Sequence, residues 1–183
     1  MRMCGFGIHC VGSWQVFRDG FVMMNKAAIT ILAFKNTSAE LLVHGMDFPT
    51  VFLPSDKTRD SEIAKEEIQE SSIILCFGQK PQIKNKLCLE LVAKNEDTSI
   101  ETNFEIESLK EKLEQQKISY SESQNPGTSY CNLVYWNSLK YIEEKKLDCQ
   151  FLFIHVPFEK NISNISELRE KLNCVICKKS REN

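Results

Sequence analysis

Cys131 and His155 are the two residues whose types and setting could do chemistry together. Both fall in residues 124–157, which open QNPGTSYCNLVYWNSL and close FLFIHVP. Cys131 follows an Asn125-Pro126-Gly127 turn, at the point where a helix should begin, and His155 stands near the end of an apolar run that reads as a buried strand. A thiol at a helix N-terminus ionises more easily, because unpaired N–H groups and the helix dipole favour the thiolate. A histidine at the carboxyl end of a strand lies on the edge where open α/β sheets place their ligands. The pair therefore suggests a nucleophile and its general base. Each residue alone has a plainer reading. Cys131 shares a helix face with Tyr135, Leu139 and Ile142, which suits a core cysteine, and a lone strand-end histidine is commonly structural.

The elements that must position this pair alternate from Asp47 onward. Residues 72–77 form a continuous apolar run, as expected of a strand buried on both faces, and its exit at Gly78-Gln79 is a natural ligand edge. Residues 150–156 read the same way and are stopped by Pro157. Residues 47–53 form a strand between prolines, and 87–93 alternate with Cys88, Glu90 and Val92 on one face. Amphipathic helices are expected over 58–70 and 129–144, and over 164–172 with Ile165, Leu168 and Leu172 inward. Thr102-x-x-Glu105 matches a capping box and opens a helix to about Gln115, with Ile106, Leu109 and Leu113 inward; 118–121 follow as a short strand. Residues 40–44 look like another strand, and Ala27–Phe34 is either a buried strand or a short helix. The pattern predicts an α/β fold, a three-layer α/β/α sandwich around a mostly parallel, mixed sheet. One domain is expected over 46–177, with 1–45 an irregular, shortened segment of it and 178–183 a charged tail.

GTSYCN followed by FIHVP resembles the type I pyroglutamyl peptidases (pyrrolidone-carboxylate peptidases), cytosolic cysteine peptidases with an α/β/α fold. In that family a Gly-x-Tyr/Phe-x-Cys-Asn segment carries the nucleophile, and Phe-Ile-His-Val/Ile-Pro carries the base. This chain keeps Gly127, Cys131, Asn132, Phe153, Ile154, His155 and Pro157 in that order. The family triad adds a glutamate on a strand written approximately I-x-x-E-[RK]-x-A-x-N. LCLELVAKN matches it and makes Glu90 the third member. CFGQ resembles the family's strand end before Gly-Gln, so the resemblance implies that Gln79 contacts the pyroglutamyl ring. The family's opening loop, whose aromatics clamp that ring, is represented by Gly5-Phe6-Gly7, which makes Phe6 the second substrate-binding candidate. Other positions depart from the pattern. Lys80-Pro81-Gln82 replaces Gly-Gly-Arg, Leu91 replaces a cation, and the long excursion after the glutamate strand is almost absent.

The resemblance implies a cysteine-type omega peptidase that removes N-terminal pyroglutamate from peptides through Cys131, His155 and Glu90. It implies no metal and no organic cofactor, a cytosolic location, and it is compatible with an oligomer. Two other readings stand beside it: a weak or inactive homologue acting as a binding or structural protein, and a thiol hydrolase of altered specificity. Composition fits the cytosol. A net charge of −2 offers no attraction for nucleic acid or an anionic membrane, and the eight cysteines do not form a secreted disulfide framework. The longest clean apolar run is far short of a membrane span. Cys174-x-x-Cys177 lacks the second ligand pair that a zinc site needs, so it reads as two helix-end thiols.

Overall fold

The computed structural model describes residues 27–179. In chain order its elements are β1 (Ala27–Phe34), α1 (Ser38–Val43), β2 (Thr50–Leu53), α2 (Arg59–Glu70), β3 (Ser71–Lys80), β4 (Leu87–Glu90), β5 (Val92–Asn95) and β6 (Thr98–Glu101). Then come α3 (Ile106–Gln115), β7 (Tyr120–Ser123), α4 (Tyr130–Lys145), β8 (Gln150–Pro157) and α5 (Ile165–Lys179). Apolar side chains on both faces oblige β1, β3 and β8 to lie inside a sheet covered on two sides. They do so in a six-stranded sheet of order β2-β1-β3-β8-β4-β7. All neighbours are parallel except β4 and β8.

Strand alternation divides the core in two. Leu75 and Phe77 of β3, with Leu152, Ile154 and Val156 of β8, pack against α1, α3 and α5. Ile74 and Cys76, with Phe151 and Phe153, pack against α2 and α4. Complete burial of a phenylalanine such as Phe151 contributes about 1.5–3 kcal/mol, so these central strands are the rigid frame for whatever lies at their ends. This is the α/β/α sandwich expected from the sequence. Among the described residues, no helix is long and apolar enough to cross a membrane.

Several local readings need correction. Residues 40–43 belong to a helix, α1, with His44 as its C-cap; the Thr37 hydroxyl caps its start and accepts from Ala39 N at 3.2 Å. Ala39, Leu42 and Val43 are its buried face, and so short a window does not separate a helical from a strand period. Within 27–45 the chain is well packed rather than irregular: β1 sits between β2 and β3, and its run shows no alternation because both faces are covered. The 87–93 segment is two strands. Leu91 N donates to Ser123 O at 2.8 Å, after which β5 leaves the main sheet and pairs with β6. Thr102 forms no capping box. Its hydroxyl donates to Phe151 O at 2.9 Å, α3 starts at Ile106, and Ile106, Leu109 and Leu113 face the core as expected. Strand β7 lies two residues later than expected, and α5 continues to Lys179.

Candidate active site

α4 begins after Gly127, whose φ of +76° suits glycine, and Ser129 is its extended N-cap. The helix is held at this end by side chains that the sequence places beside Cys131. Asn132 clasps the backbone of Lys94 in β5: its Nδ2 donates to Lys94 O at 2.7 Å and its Oδ1 accepts from Lys94 N at 2.9 Å. One turn on, the Tyr135 hydroxyl donates to the backbone oxygen of Glu90 at 2.8 Å. Tyr135, Leu139 and Ile142 are buried against β8, so the face they share with Cys131 is turned to the sheet.

The sheet makes room for the thiol at Gly78. A Cβ there would lie 2.8 Å from Cys131 Sγ and 2.8 Å from Phe153 Cζ, so only glycine lets the sulfur and the ring approach the strand. Gly78 is the register partner of His155 in the parallel β3–β8 pair. Across the other edge of β8, Cys88 faces His155 and Glu90 faces Phe153. Period-two alternation therefore brings Gly78, Lys80, Cys88, Glu90, Phe153 and His155 to the α4 side of the sheet.

Glu90 is fully buried, and its Oε1 lies 2.8 Å from His155 Nδ1. Lys80 Nζ donates to the same oxygen at 2.8 Å and to Cys88 Sγ at 3.6 Å. Oε2 has no hydrogen-bond partner in good geometry, although Ser123 is the register partner of Glu90. Burial pushes the Glu90 carboxyl up, but donors from His155, Lys80 and Ser123 outweigh it and hold the group below the usual carboxylate range. Glu90 is thus a carboxylate, and its oxygen fixes the proton of His155 on Nδ1, which leaves Nε2 as the basic nitrogen.

Cys131 behaves differently from the expectation of easy ionisation. Its thiol is pushed up to about 11, chiefly by burial and to a smaller degree by Glu90 and Asp60; the Ser129 hydroxyl and the helix N–H of Cys131 pull it down only in part. The N-terminal donors are present, but desolvation exceeds them. Among the described residues no hydrogen bond joins Cys131 to His155, whose ring instead lies tilted on Phe153 at 4.9 Å between centroids. A cleft of about 510 Å³ opens beside the start of α4, between Lys57, Lys94, Ser129, Tyr130 and Trp136.

The other candidates lie elsewhere. The Gln79 side chain turns to the opposite face, where its Oε1 accepts from Ser38 N at 2.9 Å and ties the first turn of α1 to the end of β3. Phe6 lies outside the described residues. Lys80 is the member of the cluster that the sequence reading passed over, because it ended the strand at Phe77. Extending the alternation from Gly78 by two positions would have placed Lys80 on the His155 side.

Comparison with known proteins agrees with the resemblance. No family model matches the chain. A pyrrolidone-carboxylate peptidase of Brevibacillus brevis is 30% identical over 132 residues, which cover 60% of this chain and 60% of that one. The match thus spans less than two thirds of that relative's length. A pyrrolidone-carboxylate peptidase of Brachyspira hyodysenteriae is 27% identical over 158 residues, 74% of this chain and 76% of its own. Among solved structures, pyroglutamyl peptidase I of Bacillus amyloliquefaciens superposes with a TM-score of 0.70 at 16% identity, over 82% of this chain and 95% of that one. The pyrrolidone carboxyl peptidase of Fervidobacterium islandicum gives 0.70 at 20% identity, over 82% and 97%. The chain is thus similar in sequence to pyrrolidone-carboxylate peptidases and shares the fold of the pyroglutamyl peptidases.

Proposed function

We propose that the protein is a cysteine peptidase that removes N-terminal pyroglutamate from peptides, with Cys131 as nucleophile, His155 as general base and Glu90 as the residue that orients it. The observation that carries this reading is the 2.8 Å contact between Glu90 Oε1 and His155 Nδ1, on the sheet face where Gly78 lets Cys131 approach. In the reaction, His155 Nε2 takes the proton from Cys131 as sulfur attacks the carbonyl carbon of the first peptide bond. The first N–H groups of α4 have no partner within the helix and suit the developing oxyanion. His155 returns the proton to the leaving amine, the peptide departs, and a pyroglutamyl thioester remains. Water, deprotonated by His155, then hydrolyses the thioester to free pyroglutamate and the thiol. Because burial keeps the resting thiol protonated, the base removes its proton during attack, not beforehand.

The name of the Brevibacillus brevis relative supports the reading, and so does the order of the family motif residues around Cys131 and His155. Gln79 would then act on the pyroglutamyl ring through its backbone at the end of β3, since its side-chain oxygen is used by α1. The cytosol remains the expected location. A second reading, an inactive homologue, is favoured by one observation: the thiol is raised to about 11 and shares no hydrogen bond with His155. Turnover of a pyroglutamyl-linked chromogenic substrate by wild type, Cys131→Ser and His155→Ala separates the two. The peptidase releases the amine, and either substitution lowers the rate by roughly three orders of magnitude or more. Equal trace release by wild type and Cys131→Ser decides for the inactive homologue.

A further inference from the structure

The mechanism above leaves one charged group of the cluster without a task. Resting on that reading of Cys131, His155 and Glu90, we propose that Lys80 is a positioning residue, which clamps Glu90 through the oxygen used by His155 and, as the counter-charge of that carboxylate, opposes protonation of His155 Nε2.

The geometry is unusual for a carboxylate. Both charged or chargeable donors converge on Oε1, each at 2.8 Å, while Oε2 is buried with no hydrogen bond in good geometry. Lys80 Nζ and His155 Nδ1 therefore stand no farther apart than twice that distance. The Lys80 side chain is 23% exposed, against none for Glu90, so its ammonium reaches into the cluster from the rim. Among the described residues it is the one cation bonded to Glu90 other than an imidazolium.

The charge around His155 can be followed element by element. β4 supplies Glu90 and Cys88, β3 supplies Lys80 and Cys76, and α4 supplies Cys131 and the Tyr135 hydroxyl. α2 contributes Asp60, which bears on Cys131. The neighbouring Glu122 of β7 is occupied by Lys110 at 2.9 Å. Buried thiols and a phenol carry no charge near neutrality, so Glu90 and Lys80 cancel and the imidazole sees a nearly neutral surrounding. Without Lys80, a buried carboxylate alone would draw a proton onto His155 and occupy Nε2, the nitrogen that must accept the thiol proton. A charge within about 4–6 Å shifts such a group by about one pKa unit or more. The ammonium also restricts the rotation of the carboxylate, which fixes the direction in which the ring presents Nε2.

Imidazole titration by NMR in the full chain tests this, with the His155 signal assigned through His155→Gln. Lys80→Met, and Lys80→Gln as an alternative of different shape, should raise the His155 midpoint by about one pH unit, whereas Lys80→Arg restores the wild-type value. A second measurement needs no substitution: the Lys80 ammonium signal of the wild type should move at the same midpoint as His155. An unchanged midpoint in the neutral variants, or a Lys80 signal indifferent to His155, overturns the proposal. Loss of cysteine-dependent turnover would instead sink the peptidase reading and leave these titrations as they are.

Discussion

Replacing Gly78 by alanine would put one methyl group where the thiol and the sheet meet. Gly78 is not among the positive-φ glycines, so alanine adds no backbone strain and the effect is steric. The added carbon would stand 2.8 Å from Cys131 Sγ, 2.8 Å from Phe153 Cζ and 2.9 Å from Phe153 Cε1. Regaining contacts of ~3.5–4.0 Å requires the sulfur and the ring to retreat by about 1 Å. Neither is a loose end. Phe153 is buried in the sheet and packs on Phe34 and Tyr135, and Cys131 is carried by a helix tied down through Asn132 and Tyr135. Overpacking of this kind costs about 1–3 kcal/mol in stability. A nucleophile displaced by that distance loses about 100-fold in rate. Urea unfolding reads the first quantity and single-turnover release of the chromogenic amine reads the second. Phe153→Leu in the same background should return part of the stability by vacating the ring's side of the clash. Wild-type unfolding together with wild-type turnover in Gly78→Ala would refute the argument that the glycine admits the thiol.

Two other substitutions test the charged groups. Glu90→Gln leaves Lys80 without its counter-charge and should cost on the order of 3 kcal/mol at neutral pH. Because the native carboxyl is held below its ordinary 4.5, its contribution is present above that value and is lost as pH falls through the depressed native one. The gap between variant and wild type in urea unfolding should therefore close in acid; a gap independent of pH would count against the ionised Glu90. Asp60 is the opposite case. It is fully buried in α2 with neither carboxyl oxygen in a well-formed hydrogen bond, and burial raises it above 3.8 against the pull of the Asp56 and Ser55 backbone. Its favourable contribution is complete below 3.8 and is lost as pH rises through the native value. Asp60→Asn should unfold at higher urea than wild type at neutral pH and lose that advantage in acid, and a variant less stable at neutral pH would show that the carboxylate is satisfied.

The strands that build the frame were legible because their signal is one of composition. The runs of β3 and β8 are apolar throughout, and such runs fit a sheet covered on both faces. The face of α4 was legible for a similar reason: Cys131, Tyr135, Leu139 and Ile142 recur with the helical period, and all lie toward the sheet. Short elements were not. Five residues around Leu42 do not distinguish one period from the other, and the break at Leu91 depends on a bond from its N–H to Ser123, a residue of another strand.

At the site, the residue types and their order along the chain were sequence properties, and they singled out Cys131, His155 and Glu90 as candidates. Tertiary structure alone decided how these residues are charged and who else joins them. Ionisation depends on desolvation, which sums over every atom packed around a group; the same helix N-terminus that should ease ionisation of Cys131 therefore carries a thiol raised to about 11. The reach of Lys80 to Glu90 depends on β4 running antiparallel beside β8 while β3 runs parallel on its other side. No local pattern encodes that order of strands, because it is set by which apolar surfaces are covered together when the whole sheet assembles.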